Sequence, residues 1–185
     1  MRIIAGRFKG RQLRGPLGPG VRPTSDRLRE TLFNVLQGTL DGARVLDAYA
    51  GTGAVGLEAL SRGAASVTFV ERDAAVIKVL RTNIALCGTE DACAIIRDSF
   101  LGLNVRSPGL ERFDFVFLDP PYDVDSLEHV VSEGAHRIAR EGLLVLEYSR
   151  RRLPPESVPG LMQQRVLPAG DSALAFYAAT PPHEI

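Results

Sequence analysis

The sequence predicts an α/β fold: a doubly wound, mostly parallel sheet of seven strands, with a C-terminal antiparallel hairpin and a small N-terminal basic β-hairpin plus helix. Three observations predict it. From residue 43 onward short β-rich runs alternate with helical ones, the order expected of a sheet assembled from βα units. Several of those runs, among them SVTFVE and FDFVFLD, are apolar almost without interruption, as strands covered on both faces are. Residues 46–60, LDAYAGTGAVGLEAL, put a glycine-rich turn between a strand and a helix, at the strand end where such sheets bind ligands. With 185 residues and 45% hydrophobic composition, the chain suits one globular domain with a sizeable core.

Each element follows from local pattern. Ile3-Ile4 and Gln12-Leu13 flank the turn-prone Gly6 to Gly10, which predicts the hairpin, and GPLGPGVRP behaves as a tether. Thr24, Ser25 and Asp26 can cap a helix whose apolar residues Leu28, Leu32, Val35 and Leu36 fall at helical spacing before Gly38. Residues 1–38 thus form an extension of the domain that occupies 39–185. Strand ARVLDAY leads to a helix over 54–62, SVTFVE to a helix over 73–86, CAIIR follows, and FDFVFLD leads to a helix over 125–140. GLLVLEY, QQRVL and ALAFYAA complete the set, the last two folded back on each other at Pro168-Ala169-Gly170-Asp171.

Charge is balanced overall, with 22 basic and 22 acidic residues, but it is unevenly spread. Residues 1–30 carry eight basic groups against two acidic ones, leaving that segment at +6 and the remainder at −6. A basic arm on a mildly acidic body favours a nucleic-acid partner over an ordinary solvated face. Cys87 and Cys93 are too sparse for a disulfide framework and read as packed or half-exposed thiols; His129, His136 and His183 show no metal spacing, and no metal is needed. There is no long apolar run and no signal-peptide core, which predicts a cytoplasmic protein with no membrane association. The run Arg150-Arg151-Arg152 reads equally as a solvated turn and as an RNA contact.

The glycine loop alone fits either NAD or S-adenosylmethionine. Glu71 closes the next strand 20 residues after Gly51, where a carboxylate accepts from ribose hydroxyls in both cases. Two features favour S-adenosylmethionine. The Ala48-Tyr49-Ala50 step separates the strand from Gly51, and Asp47 puts a carboxylate where a dinucleotide would bring its pyrophosphate. Like charges would meet there, whereas an ammonium and a sulfonium are attracted. Asp98, after CAIIR, can accept from an adenine amino group. The fourth strand runs into Asp119-Pro120-Pro121-Tyr122. The Asp119 carboxylate and the Pro120 carbonyl can accept both N–H bonds of an exocyclic amine and so orient its lone pair. The two prolines stiffen the pair, and Tyr122 offers a face for a flipped base.

With RIIAGRFKGRQL, RPTSDRLRETLFNVL, LDAYAGTGAVGLEALSRGA and FLDPPY in this order, the chain resembles the class I S-adenosylmethionine-dependent methyltransferases, and within them the RsmD-type bacterial 16S rRNA (guanine-N2)-methyltransferases. The resemblance covers about residues 2–149. It implies a Rossmann-like methyltransferase sheet and S-adenosyl-L-methionine as cofactor, with Asp47, Gly51 and Gly53 at its methionine end, Glu71 at the ribose and Asp98 at the adenine. Ala50 and Arg72 border the same site. Asp119, Pro120, Pro121 and Tyr122 would hold the target base. The implied partner is 16S rRNA within a small ribosomal subunit or assembly intermediate, met by a monomer. Arg2, Arg7, Lys9, Arg11, Arg14 and Arg27 are the expected RNA contacts, with Arg22 and Thr24 open to cofactor or RNA. The rival readings are an amino-methyltransferase for adenine or cytosine in DNA or RNA, a catalytically silent RNA-binding assembly factor, and an NAD-dependent oxidoreductase, against which the acidic strand end and the lack of a hydride-transfer acid/base pair argue.

Overall fold

The structure, a computed structural model, describes residues 1–15, 26–103 and 112–179. The tether beyond Gly15, Arg22, Thr24, Ser25 and His183 lie outside the described residues. Among the described residues eight strands form one sheet, in the order β3-β2-β1-β4-β5-β8-β7-β6. β1 (Arg44–Asp47), β2 (Ser66–Val70), β3 (Cys93–Ile96), β4 (Phe113–Leu118) and β5 (Ile138–Ser149) are parallel. β8 (Ser172–Ala179) lies antiparallel between β5 and β7 (Leu161–Ala169), and these are the seven expected strands. The eighth, β6 (Ser157–Val158), is a two-residue edge strand on β7. The order reverses between β1 and β4, and the helices α1 (Asp26–Val35), α2 (Ala54–Ser61), α3 (Ala74–Cys87) and α4 (Leu127–Ala135) cover the sheet.

Period-2 alternation splits the core in two. Val45, Phe115, Phe117, Val145 and Phe176 pack under α1, α2 and α3. Leu46, Val116, Leu118, Leu144, Leu146 and Ala175 face the opposite layer, with Val130 and Val131 of α4. α3 starts at Asp73, whose carboxylate accepts from the N–H groups of Ala75 and Val76, and stops at Gly88 in the left-handed conformation.

One element departs from expectation. The fourth helix was expected over 125–140 but stops at Ala135, because Ile138 pairs with Phe113 as the first residue of β5. Val130, Val131, Gly134 and Ile138 keep a helical spacing, so periodicity gave no stop signal there. The N-terminal hairpin, bridged between Arg2 and Gln12, packs on the body of the domain. Ile3, Phe8 and Leu13 are buried in the same core as α1 and α2. Glu58 of α2, fully buried, accepts from the N–H of Ile4 at 2.7 Å and of Ala5 at 3.0 Å, and pairs with the buried Arg29 at 3.6 Å. Arg29 donates onward to the Arg2 carbonyl, so one of the eight basic groups of the arm is structural.

Candidate active site

The parallel register brings the acidic residues together. Asp47 aligns with Phe69 of β2 and Phe117 of β4, so Glu71 and Asp119 each stand two residues beyond the level of Asp47 on the strands to either side. Asp98 stands two residues past Ile96, the partner of Val70. Four carboxylates from four neighbouring strands therefore rim the carboxyl end of the sheet, around a cleft of about 800 Å³. The cleft is also lined by Ala50, Gly51, Arg72, Pro120, Pro121 and Tyr122. Gly53 is not among its lining residues.

The glycines divide the work. Gly51 has φ +53°, and a Cβ there would meet nothing within 4 Å. Gly53, at φ +82°, caps α2, and a Cβ there would fall 2.4 Å from Leu80 Cδ1. At Gly56 a Cβ would fall 2.3 Å from the Phe69 ring, so this glycine serves close helix–strand packing and not the ligand. The loop is pinned from both sides. Glu71 Oε2 accepts from Gly51 N–H at 3.0 Å while Oε1 accepts from Asp73 N–H, and the buried Asn83 of α3 donates to the Thr52 carbonyl at 2.9 Å. Asn83 also exchanges hydrogen bonds with the backbone of Arg14, which links the N-terminal arm to the glycine loop.

Asp47 and Tyr49 each bring to the cleft a buried polar atom that has no hydrogen-bond partner among the described residues. Asp47 is 1% exposed; its Oδ2 accepts from Gly56 N–H at 3.0 Å, and its Oδ1 has no partner. Burial pushes its carboxyl up to about 7, against the Gly56 hydrogen bond and helped by Asp119 and Glu71. The Tyr49 hydroxyl is likewise buried without a partner, and burial pushes its pKa up to about 12. A ligand carrying a cation and hydrogen-bonding groups fits this pair; a phosphate does not, since it would add negative charge beside three carboxylates. The ring of Tyr49 meets Phe100 with centroids 5.5 Å apart, and Phe100 forms a buried wall near Asp98.

Sequence reasoning missed the supports of the tetrapeptide. Tyr122 is 52% exposed, and its hydroxyl lies 3.1 Å from Ser172 Oγ at the start of β8. Arg152 donates to the carbonyls of Tyr122 at 3.2 Å, Val124 at 2.6 Å and Asp125 at 3.3 Å. Neither residue has a local signal, because each acts across more than 25 positions of chain. Met1, Leu28 and Glu147 also line the cleft, so the N-terminal extension reaches it. Arg2, Arg7, Lys9, Arg11, Arg14 and Arg27 are all exposed. Arg7 and Arg11 lie over the Phe8 ring, and the Arg11 guanidinium donates to the Leu86 carbonyl.

One cysteine is packed and the other half-buried. Cys87 is buried, and burial pushes the Cys93 thiol up to about 11, which keeps it protonated and unreactive. His129 and His136 are exposed. Among the described residues no cluster of His, Cys, Asp and Glu is placed to hold a metal, and no helix is long and apolar enough to cross a membrane.

A sheet that reverses between β1 and β4, with a glycine loop after the one and DPPY after the other, defines a methyltransferase of the doubly wound class. Residues 1–178 match the family described as Conserved hypothetical protein 95, and the chain belongs to this RsmD family. It is 40% identical over 149 residues to "Ribosomal RNA small subunit methyltransferase D" of Escherichia coli (strain K12), covering 80% of this chain and 74% of that one. It is 34% identical over 180 residues to the Bacillus subtilis protein described as "Putative rRNA methyltransferase YlbH", with 96% and 98% coverage. The Escherichia coli structure described as "Putative methyltransferase yhhF" superposes with a TM-score of 0.81 at 35% identity, over 97% of this chain and 99% of that one.

Proposed function

We propose that the protein methylates the exocyclic N2 amine of a guanine in small-subunit ribosomal RNA, using S-adenosyl-L-methionine. The observation that carries the reading is the β1/β4 register, which sets the buried, half-satisfied Asp47 beside the strand that ends in DPPY. Family membership supports ribosomal RNA as the substrate, since relatives are described as small-subunit rRNA methyltransferases. Asp47 Oδ1 and the Tyr49 hydroxyl receive the amino-acid end of the cofactor, Gly51 leaves room for it, Glu71 accepts from the ribose with its remaining lone pairs, and Asp98 and Phe100 border the adenine.

When bound, the cofactor supplies a methyl group on a positively charged sulfur; its transfer forms an N–C bond as the S–C bond breaks, and the nitrogen sheds one proton. The chain's part is positioning. Asp119 and the Pro120 carbonyl accept the two N–H bonds of the amine, aiming its lone pair along the line of displacement, and Asp119 receives the departing proton. Tyr122, braced by Ser172 and Arg152, stacks on the extruded base.

The test is methyl transfer to small subunits and to bare 16S rRNA from cells lacking the modification, with the product nucleoside identified by mass spectrometry. N2-methylguanosine is expected; methylated adenine or cytosine would overturn the base assignment. Asp119→Ala is expected to leave cofactor affinity within about twofold while slowing single-turnover transfer by on the order of 10²-fold or more. Asp119→Asn, which keeps an acceptor oxygen, loses less. An unchanged rate in Asp119→Ala would remove DPPY from catalysis.

A further inference from the structure

We infer that the turn Arg150–Leu153 is an RNA wedge, in which Leu153 enters the stack vacated by the target base and Arg150 and Arg151 hold the flanking phosphates. This rests on the function proposed above and adds to it the element that opens the RNA.

Single exposed apolar side chains are ordinary on protein surfaces, but Leu153 differs in degree and placement. It is 93% exposed, whereas among the described residues the other exposed large hydrophobic side chains run from 40% at Val166 to 52% at Tyr122. It is presented rigidly. Arg152 just before it is bonded to three carbonyls, and Pro154 and Pro155 just after it fix their own φ. Those three carbonyls belong to Tyr122, Val124 and Asp125, so the turn is fastened to the segment that carries the base-stacking tyrosine.

On its other side Arg150 donates from its backbone N–H to the Asp171 carbonyl and from its guanidinium to the Gly170 carbonyl, next to the Ser172 that braces Tyr122. An apolar tip, two exposed arginines and the base pocket therefore form one rigid unit at the cleft rim. Proteins that unstack bases use this combination, an apolar wedge between steps with cations on the flanking backbone. Arg152 is then a positioning residue that holds wedge and pocket in register, and this accounts for an arginine whose guanidinium bonds to main-chain oxygens on three residues of one segment.

The test compares wild type, Leu153→Ala and Leu153→Phe on unmodified bare 16S rRNA and small subunits. Each is repeated with RNA in which the pairing and stacking around the target guanine have been weakened by substitution of its neighbours. Since Leu153 is exposed, unchanged thermal midpoint and cofactor affinity are expected. Leu153→Ala should slow single-turnover transfer to normal RNA by about 10-fold or more, the cost of unstacking without a wedge. Leu153→Phe should keep most of the rate, and the weakened RNA should restore Leu153→Ala to near wild type. A wild-type rate in Leu153→Ala, or a loss that the weakened RNA does not relieve, would overturn the wedge. A loss confined to protein-bearing particles would assign Leu153 to a protein contact instead. If wild type transfers methyl to no RNA, the proposed function fails and takes the wedge with it.

Discussion

Asp47 gives the sharpest pH consequence of any single residue. Its carboxyl, ordinarily near 3.8, is pushed up to about 7 in the folded protein, first by burial and then by Asp119 and Glu71. Between those values the native state holds a proton that the unfolded chain has released. The stabilisation this group provides is therefore complete below the unfolded value and is lost as pH rises through about 7. A bound ammonium facing Oδ1 favours the carboxylate, so binding should expel the proton and tighten as pH rises toward 7 and beyond. Calorimetric titration with S-adenosylhomocysteine at about pH 6.5, in two buffers of different ionisation heat, should show proton release in wild type and none in Asp47→Asn. Equal heats in wild type would separate Asp47 from the ligand. Glu71→Ala should weaken cofactor binding by about 1.5–3 kcal/mol, because the ribose and Gly51 N–H both lose a charged acceptor. Glu71→Gln should lose less, and unchanged affinity in Glu71→Ala would place the ribose elsewhere.

At the scale of elements, Glu58 decides whether the hairpin stays on the body. Its carboxylate serves Ile4, Ala5, Arg62 and Arg29 from a fully buried position. Glu58→Ala leaves the Arg29 guanidinium buried without that counter-charge and should cost about 3–5 kcal/mol of stability, read as a lower urea midpoint. A shift under about 1 kcal/mol would mean that water or rearrangement replaces it. In sequence Glu58 is the one charged residue of the helix AVGLEALS, and nothing local marks it as the anchor of a segment more than fifty residues upstream. The strands and the four carboxylates could be read from pattern because they depend on neighbours in sequence. Ser172, Arg152, Asn83 and the early start of β5 could not, because each is fixed by a contact that only the folded sheet creates.

For the whole molecule, the question is how the basic arm meets RNA, and the packing of the hairpin changes how that must be tested. Removing residues 1–20 would strip Ile3, Phe8 and Leu13 from the core and take Arg14 from Asn83, which also holds the glycine loop. Such a truncation should lose stability and cofactor affinity together, and its RNA binding would say nothing about charge. Replacing only the exposed heads avoids this. The variant with Arg2→Gln, Arg7→Gln, Lys9→Gln and Arg14→Gln keeps every backbone hydrogen bond of the hairpin, and it spares Arg11, whose guanidinium is tied to Leu86. Thermal midpoint and cofactor affinity should stay near wild type. If all four cations touch phosphates, the plot of log K against log salt should flatten by ~3, at roughly 0.7–0.9 for each phosphate no longer neutralised. A slope equal to that of wild type, measured on the same RNA, would show that these side chains are solvated surface, and that RNA is gripped by other cations such as Arg27, Arg150 and Arg151.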